Sequence, residues 1–569
     1  MTASLLPNGK QYFADPNGVP LAMGTVTFYV PGTSTPRDTW QDPGQTILNT
    51  NPVVLDSYGS AIIYGDGQYR QIVKDVDGNL IWDQLTASAV GQAQSGAVGL
   101  GLLATETVND ALNFLSALSF APQSLSPAQQ AQAAKNISGI RYVANRTAMK
   151  ALATSSSLTV YLAEGSRAGI FAWQSGNFSS QVAADPLEGI YIASTITPST
   201  AGAWVRFFGA QQAVSPLWWG AAGNGVTDDA VPLQAAMATD YPMYIDRLYA
   251  FSAAITHSSA ENKIVFGNGN VSSILTMTNP TQDGLVKGGG GSLIVRDLGI
   301  TTSVDKTAGS AIAASGTSKD RIDNCMIYGS AGTMLYNGIS INGLMPNITF
   351  NYILSCRNAA ITINNTAAGQ GSEGVIFGNT INTQDPANNA IGILWTSGLR
   401  TLRIAHNTIQ NYAYGCEYAP SSGYSPQSLS FIGNILEANA VGGLVLSLPA
   451  GSTTTAENVI VSGNEFNESS GKSISVSGNS NLNWVKRLNV SGNVFNFGSA
   501  AQINLQAGFG AFIDGNFFNG TASSLIPIAL TSTSPNGTLF GNNWSLSVTT
   551  LYALNGNIGA FKAAPIVNA

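Results

Sequence analysis

Charge is scarce in this 569-residue chain: Asp, Glu, Lys and Arg make up 10% of it, against roughly 25% in an average soluble domain. A net charge of −7 offers no basic stripe to track phosphates, which excludes nucleic acid as a partner. The three cysteines, Cys325, Cys356 and Cys416, lack metal-ligand spacing, and an odd number gives no sign of a disulfide framework. No metal and no cofactor is expected. Nowhere do 18 apolar residues run together, so no membrane insertion is expected, and Met1–Lys10 lacks the apolar core of a signal peptide. Yet 44% of residues are hydrophobic and 62 are Gly, enough apolar surface to exclude disorder. With abundant Asn, Ser and Thr, the composition points to extended β-structure, not to a helical globular enzyme.

A repeat carries the fold assignment. A short phrase recurs from about residue 320: alternating apolar residues, a small residue, Asn, any residue, then an apolar one. It reads Ile376-Phe377-Gly378-Asn379-Thr380-Ile381, then Ile404-Ala405-His406-Asn407-Thr408-Ile409, then Phe431-Ile432-Gly433-Asn434-Ile435-Leu436. The asparagines at 324, 351, 379, 407, 434, 464, 493 and 516 follow one another at steps of 23 to 30 residues. A period near 28 with three short strand-like pieces suits one turn of a parallel β-helix. Asn is expected at the sharp turn, where it tolerates the left-handed conformation and its stacked amides bond along the ladder. A second column follows each Asn: Gly392-Ile393-Leu394-Trp395, Gly415-Cys416-Glu417-Tyr418, Gly443-Leu444-Val445-Leu446. Alternation puts the second and fourth members inside and the third outside, which assigns Cys416, Trp395 and Tyr418 to the core.

Five parts follow: a β-rich module at 1–90, a linker with a helix at 91–140, a small β module at 141–210, the β-helix at 211–546 and a tail at 547–569. Several phrases of the first module, Leu6-Pro7-Asn8-Gly9-Lys10, Thr27-Phe28-Tyr29-Val30-Pro31-Gly32, Asn51-Pro52-Val53-Val54-Leu55-Asp56 and Tyr69-Arg70-Gln71-Ile72-Val73-Lys74-Asp75, resemble the N-terminal particle-binding domain of bacteriophage tailspikes. The likeness covers most of the first 85 residues. Ser126-Pro127 starts a helix by a capping Ser and a Pro in the first turn. Trp218-Trp219-Gly220-Ala221-Ala222-Gly223-Asn224-Gly225-Val226-Thr227-Asp228-Asp229 resembles the opening motif of pectate-lyase-like, right-handed β-helices. A helix should begin near Asp229, with both carboxylates as caps, and Leu233, Ala236 and Met237 should plug the end of the solenoid.

The tailspike resemblance implies a virion protein of the phage tail, acting at the host cell surface. It would be homotrimeric, joined to a tail or baseplate protein through residues 1–90, and would bind and depolymerise a bacterial surface polysaccharide: O-antigen, capsule or exopolysaccharide. Hydrolysis is the favoured chemistry. A polysaccharide lyase with His406, near Arg403, as its base is an alternative, and a non-catalytic adhesin is another. Outward apolar positions before the motif Asn (Val375, Phe377, Ile432, Ile460, Phe512) suggest a stripe buried on the trimer axis, with a flanking loop that covers it as the alternative.

No family motif places the catalytic groups, so they must come from the columns. Glycoside hydrolysis uses two carboxyls, about 5–5.5 Å apart for retention and roughly 6.5–9.5 Å for inversion. Like positions lie about 4.8 Å apart per coil, so the pair must be outward and within two coils. Glu417 is the acid of the outward column Ser340, Thr362, Leu394, Glu417, Val445, Ser475, Asn504, and its apolar neighbours should raise its pKa toward general-acid use. Asp385, one coil earlier, and Glu437, one coil later, are its candidate partners. Tyr412 and Tyr424 are expected to stack on sugar rings and Gln410 to bind them. Glu465 and Glu468 form the next pair to consider.

Overall fold

The structure, a computed structural model, describes residues 4–86, 140–154, 158–208, 212–316, 319–330, 332–364, 373–384, 389–396, 400–420, 427–448, 455–468, 471–477, 484–497, 502–506, 510–520, 528–530, 539–541, 543–545, 552–554 and 562–563. The chain divides into two compact units, Met1–Ala133 and Ala134–Ala569.

In the first unit, alternation along Thr25–Tyr29 turns Val26 and Phe28 inward, where they meet Val53, Ile63, Tyr69 and Val73. The sheet order is Val53–Val54, Thr25–Tyr29, Arg70–Lys74, Leu80–Leu85, and a separate antiparallel pair joins Ser4–Tyr12 to Ser60–Gly65. The helix expected at Ser126 lies outside the described residues.

The second unit begins with a five-stranded sheet, ordered Tyr191–Ile192, Gly202–Arg206, Gly169–Ser175, Thr159–Leu162, Ile140–Val143. A half-buried Arg167 and a buried Asp185 tie it to the segment that enters the solenoid. Arg167 donates to the carbonyls of Leu187, Trp218 and Trp219. The Asp185 carboxylate accepts from the Trp219 indole at 2.7 Å and from the backbone of Gly189, Ile190 and Tyr191.

From Asn224 onward the chain winds into a parallel β-helix of three sheets. A typical coil contributes Thr401–Ala405 to sheet 1, Thr408–Gln410 to sheet 2 and Tyr414–Tyr418 to sheet 3. Each strand pairs in parallel with its counterparts one coil before and after. The same side chains therefore stack inside: Ile376, Ile404, Phe431 and Val461 in sheet 1, and Ile409, Leu436, Phe466 and Phe495 in sheet 2. Burying each such side chain contributes about 1.5–3 kcal/mol. The rings of Phe466, Phe495 and Phe518 lie face to face, with centroids 5.0 and 4.8 Å apart. Cys416, Trp395 and Tyr418 are core residues, as alternation requires. Paired strands continue through Tyr552–Leu554 and Lys562–Ala563, past the boundary expected at 546.

The cap helix spans Ala230–Ala238, starts at Asp229, and buries Leu233, Ala236 and Met237. Asp228 accepts from the Ala230 N–H as a cap should, but the Asp229 carboxylate turns away to Ala222 and Gly223. Among the described residues no cluster of three or more His, Cys, Asp or Glu could hold a metal.

Three expectations are corrected. The left-handed residue at the corner between sheets 1 and 2 is not the motif Asn but the one before it: Phe350, Gly378, His406, Gly433, Gly463, Gly492 and Gly515 all have φ between 55° and 68°. The Asn itself points inward, is buried, and forms a ladder. From Asn351 through 379, 407, 434, 464, 493 and 516, each side-chain amide and each backbone N–H donates to the Oδ1 of the next, ending on Asn543. Second, Asn324 belongs to the left-handed column (φ 51°), and Cys325 takes the ladder slot, its N–H donating to Asn351 Oδ1 at 2.9 Å. Third, the outward stripe of sheet 1 is not continuously apolar. Register interleaves Val375, Arg403, Ser430, Ile460, Asn489 and Phe512 in one column, and Phe377, Ala405, Ile432, Ser462 and Ser491 in the next.

Candidate functional site

The outer faces of sheets 2 and 3 carry the polar side chains that could meet a substrate. On sheet 2, register aligns Asn382, Gln410, Glu437, Asn467, Asn496 and Asn519 in one outward column. Its members bond along the solenoid: Gln410 Nε2 donates to Glu437 at 2.7 Å, and Asn496 Nδ2 to Asn467 Oδ1 at 2.7 Å. Glu437 is exposed.

On sheet 3 the outward column is the expected one, with Leu394, Glu417 and Val445 as consecutive partners. Glu417 is half-buried. Burial pushes its pKa above the usual carboxyl value, while a hydrogen bond with Ser447 pulls the other way. Val445 and Asn504, outward in the same column, are nearly buried as well, so this face is drier than that of sheet 2. Two carboxyls one coil apart thus differ in exposure, Glu417 half-buried and Glu437 exposed. They occupy adjacent sheets across one corner of the coil.

Asp385 and Tyr424 lie outside the described residues. Gln410 is outward and half-buried on the sheet 2 face. Tyr412 is not a sugar platform: it is fully buried, its hydroxyl donating to the Asn382 carbonyl at 3.1 Å. The cause is Asn411, which adopts φ 63° and resets the in-out alternation, so the next residue turns into the core. Ordinary alternation along Glu465–Glu468 separates its two acids. Glu465 is exposed, whereas Glu468 is fully buried and accepts from the backbone and side-chain amides of Asn439. Burial lifts its pKa to about 7. Facing the interior, it cannot share a substrate with Glu465.

No protein-family model matches the sequence, and no curated protein does. Phage tailspikes are among the solved structures similar to this chain. The gp42 tailspike of Acinetobacter phage vb_AbaP_AS12 is 11% identical at a TM-score of 0.37, the match covering 72% of this chain and 75% of that one. The full-length tailspike protein 2 of an Escherichia coli O157:H7 bacteriophage is 12% identical at 0.37, over 91% of this chain and 56% of that one. PfbA, a surface adhesin of Streptococcus pneumoniae, is 13% identical at 0.45, over 60% and 91%. A β-helix serves binding and catalysis alike, so the chemistry has to come from side chains.

A separate cleft of about 700 Å³ lies between the small module and the cap helix, lined by Leu187, Tyr191, Val231, Ala235, Asp240 and Tyr241 among others. The Asp185 carboxylate on its wall is already met by four donors, which hold the module's turn and the Trp219 indole in place. Sequence reasoning missed the aromatic corner of Phe350, Phe377 and His406. Its signal was present in the column usually filled by Gly, where two bulky residues stand instead.

Proposed function

We propose that this chain is a phage tailspike that holds a bacterial surface polysaccharide against its β-helix and cleaves it by glycosidic hydrolysis. The observation that carries the chemistry is Glu417, an outward, half-buried carboxyl between Leu394 and Val445, raised in pKa by its burial. It is the general acid of the reading, and Glu437, on the adjoining sheet, is its candidate partner. The tail-binding role of residues 1–90 and a place in the virion rest on the resemblance of the first module. Assembly as a homotrimer belongs to the same reading, and light scattering at micromolar protein tests it; a monomer would remove it.

The decisive experiment measures reducing ends released from host polysaccharide. Glu417→Gln is expected to lower release by a factor of about 100 or more, the range of a lost general acid, with polysaccharide binding unchanged. Undiminished release would move the site elsewhere. Binding without release by the unmodified protein would favour the adhesin.

A further inference from the structure

At the corner between sheets 1 and 2, five described coils place Gly in the left-handed slot, while two coils place Phe350 and His406 there, both at φ 55°. A bulky residue in that region is strained, and such strain persists where the surroundings or a function hold it. Neither ring is tucked away. Phe350 is 60% exposed and His406 is exposed. Each lies over the glycine of the following coil: a Cβ on Gly378 would come within 2.8 Å of the Phe350 ring, and one on Gly433 within 2.7 Å of the His406 ring. Phe377 stands edge-on between them, its centroid 5.6 Å from Phe350 and 5.2 Å from His406. The strands pair coil to coil without a break here, so the two outer rings are two coils apart, about 10 Å.

A pyranose has faces of C–H groups and an edge of hydroxyls. Aromatic rings match the faces, and donors and acceptors beside them match the edge. Arg403 is exposed next to this corner, and Thr380, Thr408 and Gln410 continue outward onto sheet 2. We propose that Phe350 and His406 form a stacking subsite for two sugar rings of a glycan that runs from this corner across sheet 2 toward Glu437 and Glu417. The proposal rests on the polysaccharide reading above and adds to it the residues that hold the chain. A second copy of the protein is a poor occupant. Even fully covered, three rings offer about 150–250 Å² each, below the roughly 800 Å² per partner of a stable interface, and Asp323, Thr349, Arg403 and Ser430 interrupt the patch with polar groups.

The test uses Gly, the residue this slot accepts elsewhere. The double variant Phe350→Gly, His406→Gly and the full-length wild type are applied to an array of purified bacterial O-antigen and capsular polysaccharides. The expected result is about tenfold or weaker binding of the glycan that wild type binds, with a thermal midpoint equal or higher because strain is relieved. Phe350→Asn with His406→Asn, the residue found in the slot at 324, should show the same loss if the rings are what bind. Wild type that binds no glycan overturns the polysaccharide reading and the subsite with it. Wild type that binds, with both variants binding equally well, overturns the subsite alone. A changed oligomeric state with unchanged glycan affinity assigns the corner to contact between copies, which also overturns it.

Discussion

In the first coils of the β-helix, Lys263, Lys287 and Lys306 turn inward and are fully buried. Lys263 donates to the carbonyls of Ala236, Thr239 and Tyr241, Lys287 to those of Ser259, Gly288 and Gly290, and Lys306 to those of Asn279 and Gln282. These lysines serve the corners that join sheet 3 to sheet 1 and sheet 2 to sheet 3. From Asn351 onward the corner between sheets 1 and 2 is held instead by neutral amides, each short side chain bonded to the next. The difference follows from the corners themselves. Irregular turns near the cap leave carbonyls at different depths and angles, and a flexible stem ending in three donors can collect them. Later coils repeat one corner geometry, so a short, rigid amide meets the same partners every time and no charge need be buried.

Breaking the lysine solution should have the largest effect. Lys263→Met would strand three carbonyls and cost about 5 kcal/mol locally. Hydrogen exchange should show lost protection in residues 230–241 while coils around Asn407 stay protected, because a solenoid couples mainly to its nearest neighbours. Equal loss in both places would contradict that division. Next comes the amide solution. Asn407→Ala leaves the N–H and side-chain amide of Asn379 without their shared acceptor and should cost about 4 kcal/mol, read as a lower urea midpoint.

A third change tests what charge does inside the amide region. Glu468 is buried with Asn439 as its donor and titrates near 7 instead of the usual 4.5, chiefly through burial and further through the charge of Glu437. The folded state therefore keeps its proton where the unfolded chain has lost it. Stability from this group is lost as pH rises from about 4.5 to 7, and the full cost of about 3 kcal/mol is present above that window. Glu468→Gln should flatten this part of the pH profile in urea titrations at pH 5 and pH 8; an unchanged slope would count against it. The smallest effect is expected at Gly463, where a Cβ would touch nothing within 4 Å but φ is 65°. Gly463→Ala isolates the backbone term, about 1 kcal/mol, and Gly433→Ala should cost more because its Cβ also meets the His406 ring.

Much of this was legible. The recurrent Asn marked the coils, and alternation along Tyr414–Tyr418 correctly put Cys416 and Tyr418 in and Glu417 out. Cys325 was missed because the ladder slot there is filled by a residue that shares burial but not chemistry with Asn. The lysines were missed because one buried ammonium leaves no periodic mark. Tyr412 was misplaced because it follows a positive-φ corner residue, Asn411, where alternation no longer applies. Glu468, in contrast, obeys the alternation of its own strand, which turns it inward three residues after the outward Glu465.

What the sequence determined by itself is the period, and hence the parallel β-helix, because a coil satisfies its backbone groups only through like coils above and below. It also determined which strand residues face out, since successive side chains on a strand must alternate. The tertiary structure decided the corners. One residue at positive φ, Asn411 or Ala438, shifts the alternation by one, so Tyr412 and Asn439 turn inward. That same shift sets Glu437 and Glu417 on the outer faces of two different sheets, a relation no spacing along the chain expresses.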